Sequence, residues 1–115
     1  MPIVWDIPVK NLCYKHLNLQ HHSVHLIRLL IVDNIPGWET DPEMNRWRGH
    51  LQALKAIHDA TATELDNRFP DYHHDSSFPD AHDSPDYPPS WQPVSVQVAA
   101  LIDSGCDCEL YNLIR

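Results

Sequence analysis

The chain has no long apolar run, few basic residues and few cysteines, and each shortage excludes something. The longest apolar runs, Leu29 to Val32 and Val98 to Ile102, are far too short to cross a membrane or to serve as a secretory core. Eight Lys and Arg stand against sixteen Asp and Glu, a formal charge of −8. That excludes a strongly basic protein, whose phosphate contacts would supply most of a nucleic-acid affinity. The three cysteines, Cys13, Cys106 and Cys108, are an odd number. Cys106 and Cys108 are too close for an ordinary bridge, so reduced thiols in a cytoplasmic protein are expected. Cys106-x-Cys108 resembles half a metal site, but no second such pair completes it. No internal repeat is visible.

What remains fits a single domain spanning residues 1–115, with 43% hydrophobic residues and four tryptophans (Trp5, Trp38, Trp47, Trp91) to fill one modest core. The acidity is uneven. Asp66, Asp71, Asp75, Asp80, Asp83 and Asp86 face a single Arg68 in the middle of the chain, whereas Lys10, Lys15, Arg28, Arg46, Arg48 and Lys55 fall in the first half. A local basic patch is compatible with the first half. An acidic surface suits a basic protein partner instead.

The pattern is helical throughout. Pro8 in a first turn opens a helix to about Leu30, with the stripe Leu12, Cys13, His16, Leu17, Gln20, Val24, Ile27. Asp33 to Gly37 is a loop. Thr40-Asp41-Pro42-Glu43 reads as a capped start with Glu43 completing a capping box. The helix it opens runs to about Asn67, with Trp47, Leu51, Leu54, His58, Thr61 and Leu65 on one face. Residues 69–93 hold six of the ten prolines and read as an extended or partly disordered crossover wrapping the domain. A last helix, about Val94 to Ser104, closes at Gly105. The expected class is all-α: three packed helices with a long Pro/Asp/His-rich crossover before the last.

Two features carry chemistry. The start, Met1-Pro2-Ile3-Val4-Trp5-Asp6, allows removal of the initiator methionine, leaving a free proline amine. An α-amino group titrates near ~8, so a useful fraction is unprotonated and nucleophilic toward a carbonyl-type carbon. Nine histidines are many for this length. His21 and His25, four apart, share a helix face; they are read as a solvated polar face, since no carboxylate or cysteine stands at ligand spacing beside them, with a transition metal as the alternative. His16 and His58 lie on the apolar stripes and point inward, where together they suggest a pocket. His73, His74 and His82 lie in the crossover and are expected to be solvated.

Trp5-Asp6-Ile7-Pro8, Leu12 to Leu17, His21, His25, Asp41-Pro42-Glu43, Arg46-Trp47-Arg48-Gly49, Leu51 to Leu54, His58-Asp59, Glu64, Arg68 and His74-Asp75-Ser76, in that order and spacing, resemble the pyrimidine dimer DNA glycosylase family of the phage endonuclease V type. The resemblance spans roughly residues 2 to 78. It implies a small all-helical fold with the N-terminus threaded into the active site, and damaged or modified DNA as partner. It also implies attack of the Pro2 amine on a sugar C1′, loss of the base, and strand cleavage by β-elimination, with no cofactor. In the family run His-Leu-x-x-Glu-His-Arg-Glu-Leu this chain departs: Gln20 replaces the first glutamate, His22 the arginine, and Ser23 the catalytic glutamate. Losing that carboxylate removes roughly 2–4 kcal/mol of transition-state stabilisation.

The candidate catalytic residues are therefore Pro2, His16, His21, His22, Ser23 and His58, with Gln20, His25, Arg46, Trp47 and Arg48 as substrate contacts. Two other readings stand beside this one. The scaffold has become a binding or inhibitory protein with an acidic surface, or the pocket houses a different enzyme, metal-dependent or imine-forming.

Overall fold

The computed structural model describes residues 2–71, 77–90, 92–106 and 108–110. A 3-10 turn (Val9–Asn11) is followed by four α-helices: α1 (Tyr14–Val32), α2 (Pro42–Trp47), α3 (Leu51–Arg68) and α4 (Val94–Asp103). There is no strand among the described residues, and the architecture is all-α with three main helices. None of the helices is long and apolar enough to cross a membrane.

α1 and α3 lie antiparallel, and their facing residues form layers. Val24 and Ile27 meet Ala53 and Leu54 in one apolar cluster, which Val4, Trp47 and Phe78 complete. Leu17 and Leu65 meet Val98 and Leu101 of α4 in a second, with Ile7, Leu12 and Leu110. A polar layer sits between them on the two helices. Gln20 and His21 of α1 oppose Thr61 and His58 of α3, and Gln20 Nε2 donates to Thr61 Oγ1 at 3.2 Å. Burying these groups without partners would cost about 1–3 kcal/mol each, so the pairing keeps α1 and α3 in a fixed register.

Two helix boundaries differ from the sequence pattern. The first helix begins at Tyr14 rather than Pro8, because Leu12 and Cys13 are extended (ψ 140° and 167°). The break frees carbonyls, which Arg68 at the end of α3 collects: its guanidinium donates to Leu12 O at 2.7 Å, Lys10 O at 3.1 Å and Val9 O at 3.4 Å. The expected second helix is two. Gly49, at φ +76°, turns the chain between α2 and α3 in a conformation that a side chain disfavours. The capping box is also replaced. Asp41, not Thr40, is the N-cap of α2, accepting from Met44 N–H at 2.9 Å, and Glu43 turns into the interior.

The crossover is extended over its described part, residues 77–90, and it is pinned. Asp83 caps α3 from a distance, its carboxylate accepting from Leu51 and Gln52 N–H at 2.8 Å each. Ser84 N–H donates to Gly49 O at 3.2 Å, and Phe78 is buried against α1 and α3. His82 is exposed as expected; His73 and His74 lie outside the described residues. α4 ends at Ser104, with Gly105 following at φ +69° as the helix terminator.

Candidate functional site

The N-terminal segment is extended and threads between the helices. Its backbone amides are held one after another by side chains. Ile3 N–H donates to Ser23 Oγ at 3.4 Å, Val4 N–H to Glu43 Oε2 at 2.7 Å, Trp5 N–H to Gln20 Oε1 at 2.8 Å and Asp6 N–H to Gln97 Oε1 at 2.8 Å. Four acceptors from α1, α2 and α4 thus fix the four residues that follow Pro2, which is buried. This is why Gln20, Glu43 and Gln97 are buried polar residues on otherwise apolar faces.

A charge network underlies the segment. Arg46 Nη1 bridges both carboxylate oxygens of Asp6 at 3.0 Å, Nη2 donates to Val4 O at 3.2 Å, and Nε lies 2.6 Å from Glu43 Oε1. The guanidinium stacks on Trp47, 4.7 Å from the ring centre. Gln97 Nε2 donates to Asp6 Oδ2 at 2.8 Å, and the Tyr87 hydroxyl donates to Asp6 Oδ1. Two carboxylates share one guanidinium, and they divide the labour. Asp6 accepts four hydrogen bonds. Burial pushes the Glu43 carboxyl up to about 7, against the opposing pull of Val4 N–H and Arg46. Burial and the Asp6 carboxylate raise the Tyr87 phenol, keeping it a donor.

The structure separates the remaining candidates. His21 is buried and His25 half-buried, so the pair is not a solvated face. They meet His58 of α3, and the three rings offer nitrogens within 4.8 Å of one another. His25 Nε2 and His21 Nε2 are 3.3 Å apart, and Phe78 of the crossover covers the group, its centroid 5.0 Å from that of His58. His58 is fully buried; its Nδ1 pairs with Asp59 Oδ1 at 3.0 Å, whereas its Nε2 has no hydrogen-bond partner. His58 and His16 do not share a pocket. His16 faces Cys13, Cys106 and Cys108 instead, with Trp5 edge-on at 5.9 Å. Burial, and Lys15 beside it, lower the His16 pKa, so its imidazole is neutral at pH 7.

His22 and Arg48 are exposed, the latter donating to Asn45 Oδ1 at 3.0 Å. Trp47 is wholly buried and Arg46 nearly so, which leaves both turned to the N-terminal segment rather than outward. Arg46 therefore adds nothing to an exterior basic patch, and Arg68 is occupied by Glu64 and the carbonyls before α1. Sequence reasoning missed Asp6, Glu43, Gln97 and Tyr87 as the cradle of the segment. The signal available was polar residues at apolar register positions, Gln97 between Val94 and Leu101 above all.

An all-helical globule whose own N-terminal segment is fed between its helices, toward a polar layer of Ser23, Gln20 and clustered histidines, is the class of protein defined here. The model of the pyrimidine dimer DNA glycosylase family matches residues 3–80, most of the chain, and the protein belongs to that family. No curated protein and no solved structure matches it.

Proposed function

We propose that this protein is a DNA glycosylase with abasic-site lyase activity, acting on damaged or modified pyrimidines through the amine of Pro2. The observation that supports the reading is the row of four side-chain acceptors gripping residues 3 to 6, which begins with Ser23 on the amide of Ile3, the residue after Pro2. Such rigid positioning of a nucleophile is worth several kcal/mol of barrier.

In this reading the unprotonated secondary amine forms a bond to C1′ as the glycosidic bond breaks, and the base leaves with that electron pair. The amine nitrogen gives up its one proton, the C1′–O4′ bond breaks as O4′ takes that proton, and the nitrogen lone pair closes the iminium on the opened sugar. Removal of a C2′ proton then expels the 3′ phosphate by β-elimination, and water releases the protein. Ser23, one residue from the amine, replaces the family carboxylate that would balance the developing positive charge, so catalysis is slower than a family member retaining the glutamate by the equivalent of roughly 2–4 kcal/mol.

Borohydride trapping on DNA carrying one abasic site tests the proposal. Protein with Met1 removed is expected to give a covalent adduct, and protein extended before Pro2 none. Folded, processed protein that gives no adduct overturns it. A second reading has one specific observation behind it: the unpartnered Nε2 of His58 among His21 and His25 fits a metal held by three imidazoles with an open position for chemistry. Activity that survives N-terminal extension but not chelation favours that reading.

A further inference from the structure

Cys13 and His16 open α1, and Cys106 and Cys108 follow α4, ninety residues later in the chain. The fold brings all four side chains together, with their donor atoms within 4.8 Å of one another. Cys13 Sγ is 3.2 Å and Cys108 Sγ 3.6 Å from the same nitrogen, His16 Nδ1. Zinc binds sulfur at about 2.3 Å and imidazole nitrogen at about 2.0 Å, so the edges of its tetrahedron measure roughly 3.5–3.8 Å. Three sulfurs and one nitrogen in this compass are a full ligand set with no vacancy for substrate.

We propose that Cys13, His16, Cys106 and Cys108 bind a structural zinc ion that fastens the segment after α4 to the start of α1.

Independent contacts support that geometry. Cys13 N–H donates to Cys108 Sγ at 3.0 Å, the kind of bond that steadies a metal-bound thiolate. Cys13 is also the N-cap of α1, where the helix end favours negative charge. The two segments are already clasped beside the cluster: Glu109 N–H donates to Asn11 O at 2.8 Å, and Asn11 Nδ2 donates to Glu109 O at 2.7 Å. Leu110 then enters the apolar cluster with Leu12 and Leu17. The Cys106 thiol, which donates to Leu101 O at 3.3 Å, gives up that proton and bond on coordination. Cys106 and Cys108 lie outside residues 3–80, so half the ligand set comes from the part of the chain the family model does not reach. The site does not depend on the Pro2 reaction.

The test uses the full chain without a histidine tag. Protein purified under reducing conditions is expected to hold one zinc per chain, and chelation to lower its melting temperature. Cobalt added to the chelated protein is expected to give a strong sulfur-to-cobalt charge-transfer band with the visible bands of a tetrahedral site. The double variant C106S/C108S should lose the band and the zinc, whereas H25A keeps both. Cobalt that binds without a sulfur band sits elsewhere, on His21, His25 and His58, and overturns the proposal. So does the failure of zinc or cobalt to bind at all, or a disulfide among these cysteines in freshly reduced protein. If the double variant does not fold, the cobalt spectrum of the unaltered chain decides.

Discussion

Replacing Arg46 with methionine removes a buried cation from between two carboxylates while keeping much of the apolar stem over Trp47. The side chains of Arg46 and Asp6 are only 5% and 7% exposed, so water cannot take the place of the guanidinium. Breaking a buried ion pair from one side costs about 3–5 kcal/mol. The lower end applies here, because Gln97 and Tyr87 still donate to Asp6, and Glu43 answers the loss by keeping its proton. About 3 kcal/mol is a large share of the roughly 5–15 kcal/mol that holds such a domain folded. At this chain length it lowers the melting temperature by roughly 10 °C. Urea denaturation should show a lower midpoint with an unchanged slope. Hydrogen exchange at the amides of Val4, Trp5 and Asp6 should rise most. Because the cost is that of a stranded anion, the double variant D6N/R46M should recover about half of it. A loss under about 1 kcal/mol, or a double variant no more stable than R46M, refutes the reasoning.

Three further outcomes follow from the same contacts. Burial lifts Glu43 from 4.5 to about 7 on folding, so between those values the folded state holds more protons at this site; its contribution to stability is fully present below about 4.5 and about 3 kcal/mol of it is lost as pH rises through 7. The variant E43Q should flatten that decline, and a decline of equal size in E43Q would exclude Glu43 as its source. T61V leaves the buried Gln20 amide without its acceptor and should cost about 1–3 kcal/mol in thermal unfolding, with a cost near zero counting against the register role of that pair. G49A meets no neighbour within 4 Å, so its cost, about 1 kcal/mol, is backbone strain alone, and an unchanged melting temperature would mean the turn relaxes.

The helical class was legible because the apolar stripes are long and regular: every stripe residue of the first expected helix except Cys13, and of the second except Leu51, is buried. The boundaries were not, because their causes are remote. Arg68 draws out the carbonyls before α1, and Asp83 supplies the cap that α3 lacks locally, each from a distant part of the chain. The same holds for the candidate sites. His21 and His25 carry a visible spacing, but only the approach of His58 and Phe78 takes them out of solvent. Cys106-x-Cys108 looked half-finished because its complement, Cys13-x-x-His16, stands at the opposite end of the chain. Cys13 and His16 stood only on an apolar stripe in the sequence, and the fold alone sets them beside Cys106 and Cys108. Glu43 was read as a cap because it occupies the right offset from Thr40, whereas its burial turns it to Val4.

The grip on residues 3 to 6 has a metrical consequence. Acceptors on alternate sides match amides in strict succession, so the segment acts as a ruler with marks at every residue. Inserting one residue between Pro2 and Val4 would carry the terminus about 3.3 Å further and reverse the side on which it emerges. Pro2 is thus located by counting, and the tolerance of this segment to a change in length is far smaller than its tolerance to a change in composition.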